Sequence, residues 1–475
     1  MITRHSISLV CAATLFLVCS LIPPSLSGRT AAPPNIIFIL ADDLGYGELG
    51  CYGQKTIQTP HLDRMAAEGM RFVQFYAGST VCAPSRSVLM TGLHTGHTRV
   101  RGNAGARSGA QTLRQGDVTF AHVVQQAGYR TGLVGKWGLG VSGEEGDPSR
   151  MGFNYFFGYL DQIHAHNHYP DFLYRNRERI TLPNVVTHVG STGGGYATQR
   201  VQYADDLLFE EGRAFVARSK DQPFLLELSL ITPHANNERS RELGDGQEVP
   251  DHGPYAEQDW PAPLKGQAAM ITRMDQAVGG VLQQLKDLGL DERTLVIFTS
   301  DNGPHKEGGP KFDPEHFDAN GPLRGLKRDL TEGGIRVPFM ARWPGRIKAG
   351  AVSRHVGYFG DMMATFAELA GGKPPPHLDS ISLVPTLLGS GTQPQHEYRY
   401  WEFYERGISQ AVLLEGRWKG LRLMETTAPI QLYDLSKDIG EEADIAAQHP
   451  EMVTRIAEIM RTAHVDNDRW KIPGL

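Results

Sequence analysis

The hydrophobic residues of this chain follow two distinct patterns. Two uninterrupted apolar runs, "NIIFIL" (residues 35–40) and "TLVIFTS" (residues 294–300), are rich in β-branched residues and predict buried parallel strands. Between residues 267 and 288 the apolar side chains recur at helical spacing instead, which predicts a long helix. Strands and helices that alternate in this way predict an α/β fold, in which a large mixed, mostly parallel sheet is sandwiched between helices.

The pattern changes after about residue 394. "AVLLEGRWKGLRL" (residues 411–423) and "IQLYDL" (residues 430–435) alternate between apolar and polar positions, which predicts antiparallel strands, and a last helix is expected over residues 451–464. We therefore expect a large domain over residues 28–390 and a small C-terminal α+β subdomain over residues 391–475. The polar segments 142–150 and 236–263 are rich in proline or glycine and are expected to be loops.

The first 27 residues have the features of a secretory signal peptide. Arg4 and His5 precede an uncharged run that ends at Pro23, and small residues follow, so cleavage is expected near residues 27 and 28. An uncleaved anchor helix is the less favoured alternative, because the run is short for a membrane span. The mature protein is expected to be exported, periplasmic or secreted, without stable membrane insertion.

The net charge and the cysteine content indicate which partners and which cysteine chemistry to expect. The net charge of −6 gives no indication of a nucleic-acid surface, so no nucleic-acid partner is expected. Two cysteines remain in the mature chain, Cys51 and Cys82. In an oxidising compartment they could form one disulfide. Alternatively, Cys82 is chemically special and Cys51 is buried and free.

Acidic residues follow both predicted buried strands. Asp42 and Asp43 come after the first strand, and Asp301 and Asn302 come after the second. Ligands in open α/β sheets bind beyond the carboxyl ends of the strands, so these side chains are expected to meet there. Three carboxylates repel one another unless a cation lies among them, and oxygen ligands favour Ca²⁺ or Mg²⁺ over zinc. A single Asp-Asp pair would more often be a solvated turn, but the paired occurrence favours a metal site.

Cys82 lies at the start of a predicted helix. Pro84 fits the first turn of a helix, and a helix N-terminus attracts anions. Arg86, one turn further on, adds a fixed positive charge suited to an oxyanion. A thiolate nucleophile would need a neighbouring base, and the local sequence offers none.

These residues resemble a known family. "CAPSR" (residues 82–86) followed by "SVLMTG" resembles the C-x-P-x-R signature of the type I sulfatases, which have the alkaline-phosphatase-like fold. The resemblance runs from residue 35 to about residue 450. Within the family, the chain is similar to the exported carbohydrate sulfatases of bacteria. It includes, in order, "ILADDLGYGELGCYG", "TGLVGKWGLG", "TPHANN", "VIFTSDNGP", "GLKRDLTEGGIRVP" and "LYDLSKDIGEEADIAAQHP".

The resemblance implies a role for each matching residue. In the type I sulfatases the cysteine is oxidised to formylglycine by dedicated machinery before folding, so Cys82 is implied to be a precursor. One divalent cation, usually calcium, is implied to be bound by that residue together with Asp42, Asp43, Asp301 and Asn302. The other implied catalytic residues are Arg86, which steadies the formylglycine, Lys136 and Lys327, which grip the sulfate, and His234, which lies near the leaving oxygen. In the hydrated aldehyde one hydroxyl attacks sulfur, and loss of a proton from the other expels sulfate.

The chain departs from the family at one position. The common pattern G-K-W-H-L-G has a histidine that helps to expel sulfate, and Gly138 stands there in this chain. Either that step is impaired or another group performs it. "QIHAHNHYP" (residues 162–170) offers His164, His166 and His168, which on a strand would share one face and could also bind a metal, line a substrate pocket or pack locally. Our hypothesis is that His166 reaches the sulfate site or, alternatively, contacts the sugar.

The implied substrate is a sulfated carbohydrate of galactose or N-acetylgalactosamine type. Candidate substrate-binding residues are His166, His305 and Arg324, and Tyr169, Trp260 and His316 could also form a sugar subsite. Three alternatives remain open: a phospho- or phosphonate-monoester hydrolase of the same superfamily, a catalytically silent carbohydrate-binding relative, and a cysteine hydrolase.

Overall fold

A central sheet organises the protein, whose computed structural model describes residues 1–2, 33–103, 111–190 and 193–472. The predicted signal peptide, residues 1–27, lies outside the described residues apart from the first two. Within the described ranges, no helix combines the length and the apolar character that crossing a membrane requires.

The strands and helices of the described ranges are numbered in chain order. The strands are β1 Asn35–Ala41, β2 Met70–Phe72, β3 Phe75–Tyr76, β4 Arg130–Lys136, β5 Tyr155–Tyr159, β6 Phe172–Arg175, β7 Glu178–Thr181, β8 Val185–Val189, β9 Gly194–Gln199, β10 Phe224–Ser229, β11 Thr294–Ser300, β12 Phe339–Arg342, β13 Ala351–Ser353, β14 Gly357–Tyr358, β15 Tyr398–Phe403, β16 Ser409–Leu414, β17 Trp418–Arg422 and β18 Gln431–Asp434. The helices are α1 Pro60–Glu68, α2 Cys82–Thr91, α3 Phe120–Gln126, α4 Ala204–Ser219, α5 Asn237–Leu243, α6 Ala262–Asp287, α7 Glu332–Ile335, α8 Asp361–Ala370, α9 Val384–Leu388 and α10 Pro450–Thr462.

The large sheet is mixed, with a parallel centre. Its ten described strands follow the order β13-β2-β12-β11-β1-β10-β4-β5-β6-β7. The five central strands, from β11 to β5, are parallel, whereas β12 and β6 run antiparallel to their central neighbours. The predicted strands 35–40 and 294–300 are confirmed as β1 and β11, and every residue in them is buried. Because the parallel strands end at one edge, the loops that follow them converge there.

Helices cover both faces of this sheet. Along β1, Phe38 contacts Phe359 and Phe366 in the core that includes residues of α2, α3 and α8. Ile37 and Ile39, which point to the opposite face, belong to the core that includes residues of α1, α4 and α6. Two apolar faces on one strand explain why β1 reads as a continuous hydrophobic run, and they confirm the predicted sandwich.

The helix boundaries differ from those expected. The helix predicted over residues 267–288 spans Ala262–Asp287, because Pro263 is tolerated in its first turn. The predicted loop 236–263 is partly wrong, since it contains α5. The Asn236 side chain accepts a hydrogen bond from the Arg239 backbone N–H at 3.0 Å and caps α5. A seven-residue helix with one buried residue shows too little apolar periodicity to be recognised.

The C-terminal region has its own four-stranded antiparallel sheet, β15-β16-β17-β18. The two predicted strand segments are confirmed as β16, β17 and β18, and the predicted last helix is confirmed as α10. Helix α10 packs on the sheet through Ile456 and Met460, which join Val412 and Leu432 in one core. The subdomain boundary near residue 390 stays a prediction, since Pro33–Leu475 form one compact unit.

Candidate active site

The acidic residues meet at the carboxyl edge of the sheet, as the sequence predicts. Ala41 at the end of β1 pairs with Ser300 at the end of β11, so the residues that follow are neighbours. The Asp43 backbone N–H donates to Asp301 Oδ1 at 3.1 Å, and Asn302 Nδ2 donates to Asp43 Oδ1 at 2.7 Å. The side chains of Asp42, Asp43, Asp301 and Asn302 are all fully buried.

Cys82 is the first residue of α2, and its thiol lies against this acidic group. The Cys82 Sγ atom is 3.3 Å from Asp42 Oδ1. Burial, and then the charge of Asp42, raise the pKa of the Cys82 thiol well above its usual value. Cys82 and Cys51 are both free in the structure, so the disulfide alternative is wrong, and Cys51 is half-buried rather than buried.

Two cationic side chains, Arg86 and Lys136, bond Asp42 and Asp301. Arg86 donates from Nη2 to Asp301 Oδ2 at 2.8 Å and lies 3.4 Å from Asp42 Oδ2. Its Nη1 donates to the Lys136 carbonyl oxygen at 3.0 Å and to the hydroxyl of Ser229. The Lys136 Nζ donates to Asp42 Oδ2 at 2.6 Å. Burial opposes ionisation of Asp42, but Lys136 and its cationic neighbours outweigh it and hold the pKa of Asp42 well below its usual range.

Lys327 and His234 form the other side of the group. Lys327 Nζ donates to Asp43 Oδ2 and Glu307 Oε2, both at 2.8 Å, and lies 3.0 Å from His234 Nε2. His234 Nδ1 is 2.6 Å from the Ala235 carbonyl oxygen and must donate to it, so Nε2 accepts from Lys327. Burial and the charge of Lys327 lower the pKa of His234 well below its usual value, in agreement with an Nε2 that accepts from Lys327.

The donor set fits a hard divalent cation. Asn302 Oδ1 is buried and has no hydrogen-bond partner among the described residues. Burial and the charge of Asp42 raise the pKa of Asp301 to about 7, as expected for a buried carboxylate packed against other carboxylates. Four buried groups have ligand atoms within 4.8 Å of one another: Asp42, Asp43, Cys82 and His234. Because His234 Nε2 already accepts from Lys327, the ligands that remain are mainly oxygens, which suit Ca²⁺ or Mg²⁺.

The histidine-rich segment is not a strand, so the interpretation of three histidines on one strand face is wrong. His164–His166 form a short 3₁₀ helix. His164 packs between Tyr159 and Phe172, with ring centroids 5.0 and 4.2 Å away. The metal-ligand clusters found among the described residues do not combine His164, His166 and His168.

His166 is the member of this segment that contacts His234 through its ring. The two rings stack with centroids 4.9 Å apart and an interplanar angle of 11°. His166 Nδ1 lies 3.0 Å from Glu238 Oε2, which orients the ring. His168 instead bonds the His234 backbone, with Nε2 2.8 Å from the carbonyl oxygen.

The other residues predicted to bind sugar are dispersed. His305 is buried behind His234, with ring centroids 6.1 Å apart, and its Nε2 is 3.2 Å from the Pro233 carbonyl oxygen. The Arg324 guanidinium lies over the Tyr433 ring at 5.1 Å. The remaining three pack elsewhere: Tyr169 against Tyr203, and Trp260 against His316.

Sequence reasoning missed two residues that touch the site. Glu307 holds Lys327 from a loop with no recognisable motif, and Ser229 holds both Arg86 and the Lys136 carbonyl oxygen from the end of β10. β10 lies between β1 and β4 in the sheet, so its end lies between the strand ends that lead to Asp42 and Lys136. Its segment 224–228, apolar apart from Glu227 and followed by serine, was the available signal for Ser229.

Comparison with known proteins agrees with this geometry. The profile of the family named Sulfatase matches residues 34–372, and the profile described as N-sulphoglucosamine sulphohydrolase, C-terminal, matches residues 326–466. Human arylsulfatase A is 32% identical, over 90% of this chain and 87% of its own length. Rat steryl-sulfatase is 33% identical over 79% of this chain and 74% of its own. An N-acetylgalactosamine-6-O-sulfatase of Bacteroides thetaiotaomicron is 28% identical over 92% of this chain and 94% of its own.

Solved structures share the fold. Ps i-CgsB, crystallised in complex with k-i-k-neocarrahexaose, superposes with a TM-score of 0.75 at 26% identity, covering 91% of this chain and 93% of that one. A phosphonate monoester hydrolase of Agrobacterium radiobacter superposes with a TM-score of 0.62 at 21% identity, which indicates a common fold alone. With its family profile matched over most of the described core and its acids, cations and Cys82 assembled at one sheet edge, the chain belongs to the sulfatase family and is a sulfuric ester hydrolase of alkaline-phosphatase-like fold.

Proposed function

We propose that this protein removes sulfate from a carbohydrate of galactose or N-acetylgalactosamine type, with formylglycine made from Cys82 as the nucleophile. The observation that carries the proposal is the position of Cys82 at the start of α2, 3.3 Å from Asp42 and within the group held by Lys136 and Lys327. The sugar class is supported by the names of two relatives, an N-acetylgalactosamine-6-O-sulfatase and a protein solved with a carbohydrate ligand.

In the proposed reaction one half of the site binds the sulfate group and the other half serves the leaving oxygen. Asp42, Asp43, Asp301 and Asn302 would hold one divalent cation, calcium by resemblance, which would supply positive charge to the sulfate oxygens. Hydrated formylglycine would supply the attacking hydroxyl. Its second hydroxyl would then lose a proton and expel sulfate, a route that a thiol lacks. Lys136, held by Asp42, contributes a second positive charge to the sulfate, and Arg86 fixes the carboxylates.

Lys327 and His234 serve the leaving oxygen in this proposal. Burial favours the neutral amine of Lys327, but Asp43 and Glu307 outweigh it and raise its pKa well above the usual value. The ammonium, which bonds Asp43, Glu307 and His234, would exchange one of these hydrogen bonds for one to the alcohol oxygen as negative charge develops on that oxygen. His234, neutral and bonded to Lys327, fixes the direction of that ammonium.

The alternatives are less well supported. A cysteine hydrolase needs a thiolate, and burial beside Asp42 raises the pKa of Cys82. A silent relative would be expected to have lost the acids or the cysteine, which are all in place. A phosphonate monoester hydrolase shares the fold, so a substrate comparison decides between phosphate and sulfate. The steryl-sulfatase relative adds a steroid sulfate to that comparison.

The function is tested by measuring anion release from matched substrates. We expect sulfate release from at least one galactose or N-acetylgalactosamine sulfate, and much slower release of phosphate from the corresponding phosphate esters. Faster turnover of the phosphate esters would assign the protein to the phosphohydrolases. Faster turnover of a steroid sulfate than of every sugar sulfate would overturn the sugar assignment while leaving the sulfatase reaction in place.

Mass spectrometry of the active protein is expected to find Cys82 modified. The tryptic peptide of residues 72–86 should be about 18 Da lighter than its thiol form, because the thiol group is replaced by an aldehyde. The peptide of residues 30–55, which contains Cys51, is the internal control and should keep its thiol mass. A fully active preparation in which Cys82 retains its thiol would rule out the formylglycine nucleophile.

His166→Ala is expected to raise KM for a sulfated sugar and to leave a small aryl sulfate little affected. Stacking on His234 places His166 beside the proposed leaving-group side, where the sugar would lie. Steady-state kinetics on both substrates checks this expectation. An initial burst followed by a stalled enzyme would instead assign His166 to sulfate expulsion, and unchanged kinetics on both would exclude both roles.

A further inference from the structure

We propose that the Gln162 carboxamide is part of the sulfate-binding site, where its Nε2 group donates a hydrogen bond to a sulfate oxygen from the space that Gly138 leaves open. This inference deepens the proposed function and rests on it for the identity of the anion. Gln162 is the first residue of the segment "QIHAHNHYP", of which the sequence singled out only the histidines.

The chain just beyond Lys136, where β4 ends, stays beside the chain that follows β5. The Trp137 N–H donates to the Tyr159 carbonyl oxygen at 2.9 Å, and the Gly138 N–H donates to the Leu160 carbonyl oxygen at 3.2 Å. Gly138 therefore lies on the backbone two residues beyond Lys136, whose Nζ bonds Asp42.

Gln162 occupies the space in which a side chain at position 138 would lie. A Cβ atom added to Gly138 would be 2.1 Å from Gln162 Nε2 and 2.7 Å from its Cδ. Gly138 also has a φ of 72°, which a residue with a side chain adopts only with strain. Glycine at this position thus lets a carboxamide from the neighbouring strand end reach the backbone beside Lys136.

The carboxamide nitrogen of Gln162 lacks a partner. Gln162 is 8% exposed, and its Nε2 makes no hydrogen bond with the described residues. The group carries two N–H donors, and buried donors are nearly always satisfied in native proteins. An acceptor-rich ligand beside Lys136 would satisfy this donor, and a sulfate group has oxygens on every side.

The chain on both sides of Gln162 leads into the site. Leu160 pairs with Gly138, and the 3₁₀ helix His164–His166 follows two residues after Gln162 and brings His166 onto His234. Gln162 therefore lies along the chain between the residues next to Lys136 and those next to His234. A donor near Lys136 suits the sulfate group, which Lys136 is proposed to bind.

Two substitutions test the role. Gln162→Met keeps the length of the side chain and removes the donors, and Gln162→Glu keeps its shape and presents oxygens alone. We expect kcat/KM to fall about 10-fold to 100-fold for Gln162→Met and further for Gln162→Glu, since a carboxylate repels sulfate. The losses should be equal for a sulfated sugar and an aryl sulfate, which separates Gln162 from a sugar-binding residue. Gly138→Ala should reproduce the loss, because its Cβ displaces the carboxamide.

Binding of inorganic sulfate, measured by calorimetry, gives a readout independent of turnover. Gln162→Met should bind sulfate more weakly than the wild type, and Gln162→Glu should bind it more weakly still. Gln410→Met is the matched control, because Gln410 is also buried and bonds Tyr400 and Met460 in the C-terminal sheet region. It should lower the melting temperature without changing sulfate affinity.

The outcomes separate this inference from the proposed function. A Gln162→Met protein that keeps wild-type kcat/KM and sulfate affinity would overturn the inference and make Gln162 a packing residue. A wild-type protein that binds sulfate through Gln162 but hydrolyses no sulfate ester would overturn the proposed function alone. If the wild-type protein does not bind inorganic sulfate, the inference that Gln162 binds sulfate is overturned.

Discussion

Asp301→Ala is expected to abolish turnover and to lower the melting temperature. Asp301 accepts hydrogen bonds from Arg86 and from the Asp43 backbone, and it is one of the proposed ligands of the cation. Its removal leaves the buried Arg86 guanidinium with Asp42 at 3.4 Å as its remaining carboxylate contact in the site. Breaking a buried ion pair in this way costs about 3–5 kcal/mol, and loss of the cation would add to it. Activity assays and thermal unfolding measure the two effects.

Two variants separate charge from packing. Asp301→Asn keeps the volume and one acceptor for Arg86, so it should lose turnover while unfolding at a higher temperature than Asp301→Ala. Glu402→Ala breaks another buried ion pair, with Arg101 at 2.9 Å, and should lower stability while the folded enzyme retains turnover. Elemental analysis should find one Ca²⁺ or Mg²⁺ in the wild type. Stoichiometric zinc, or full activity after exhaustive chelation, would contradict the proposed oxygen-ligated site.

Lys327→Met is expected to reduce kcat/KM roughly 10²–10³-fold on a sulfated sugar, because it removes a preorganised donor from the leaving oxygen. A sugar alcohol needs a proton to leave, whereas a nitrophenol leaves as a stable anion. The loss should therefore be smaller on an aryl sulfate. Lys136→Met, which alters the sulfate side, should impair both substrates equally. Equal losses on both substrates for Lys327→Met would contradict its assignment to the leaving oxygen.

Another buried lysine supplies the control for this experiment. Lys419 is fully buried and donates to Glu332 at 2.7 Å, with Glu441 at 3.5 Å. Lys419→Met removes a buried positive charge from a carboxylate pair, as Lys327→Met does, but its partners, Glu332 and Glu441, are not among the proposed metal ligands. It should lower the melting temperature and leave kcat/KM of the folded fraction near that of the wild type. A comparable loss of activity would mean that the Lys327 effect reflects general destabilisation.

Much of the architecture is encoded in local pattern. A strand buried on both faces must be apolar at every position, so β1 and β11 could be recognised from the sequence with nearly correct ends. Parallel strands also end at one edge, and this rule brought Asp42, Asp43, Asp301 and Asn302 together before their distances were known. The alternating strands of the C-terminal sheet could be predicted for the same kind of reason.

Local pattern failed where short segments are shaped by their neighbours. The residues His164–His166 look like alternating strand positions, but the turn that follows β5 winds them into a 3₁₀ helix. Helix α5 has too few buried residues to show a period, and a side-chain cap and tertiary contacts stabilise it. Cys51 and Cys82 offered a disulfide by count alone, and their separate positions in the fold leave both free.

The sequence by itself determined the α/β class, the edge at which the acids meet and the Cys82–Arg86 signature, because each depends on residue type and spacing along one segment. The tertiary structure alone decided which polar groups complete the site. Glu307 reaches Lys327 across 20 residues, and Gln162 comes to lie against Gly138 from the next strand end. Such contacts depend on strand order and on the path of loops, which no period in the sequence encodes, since they are set when separate segments pack together.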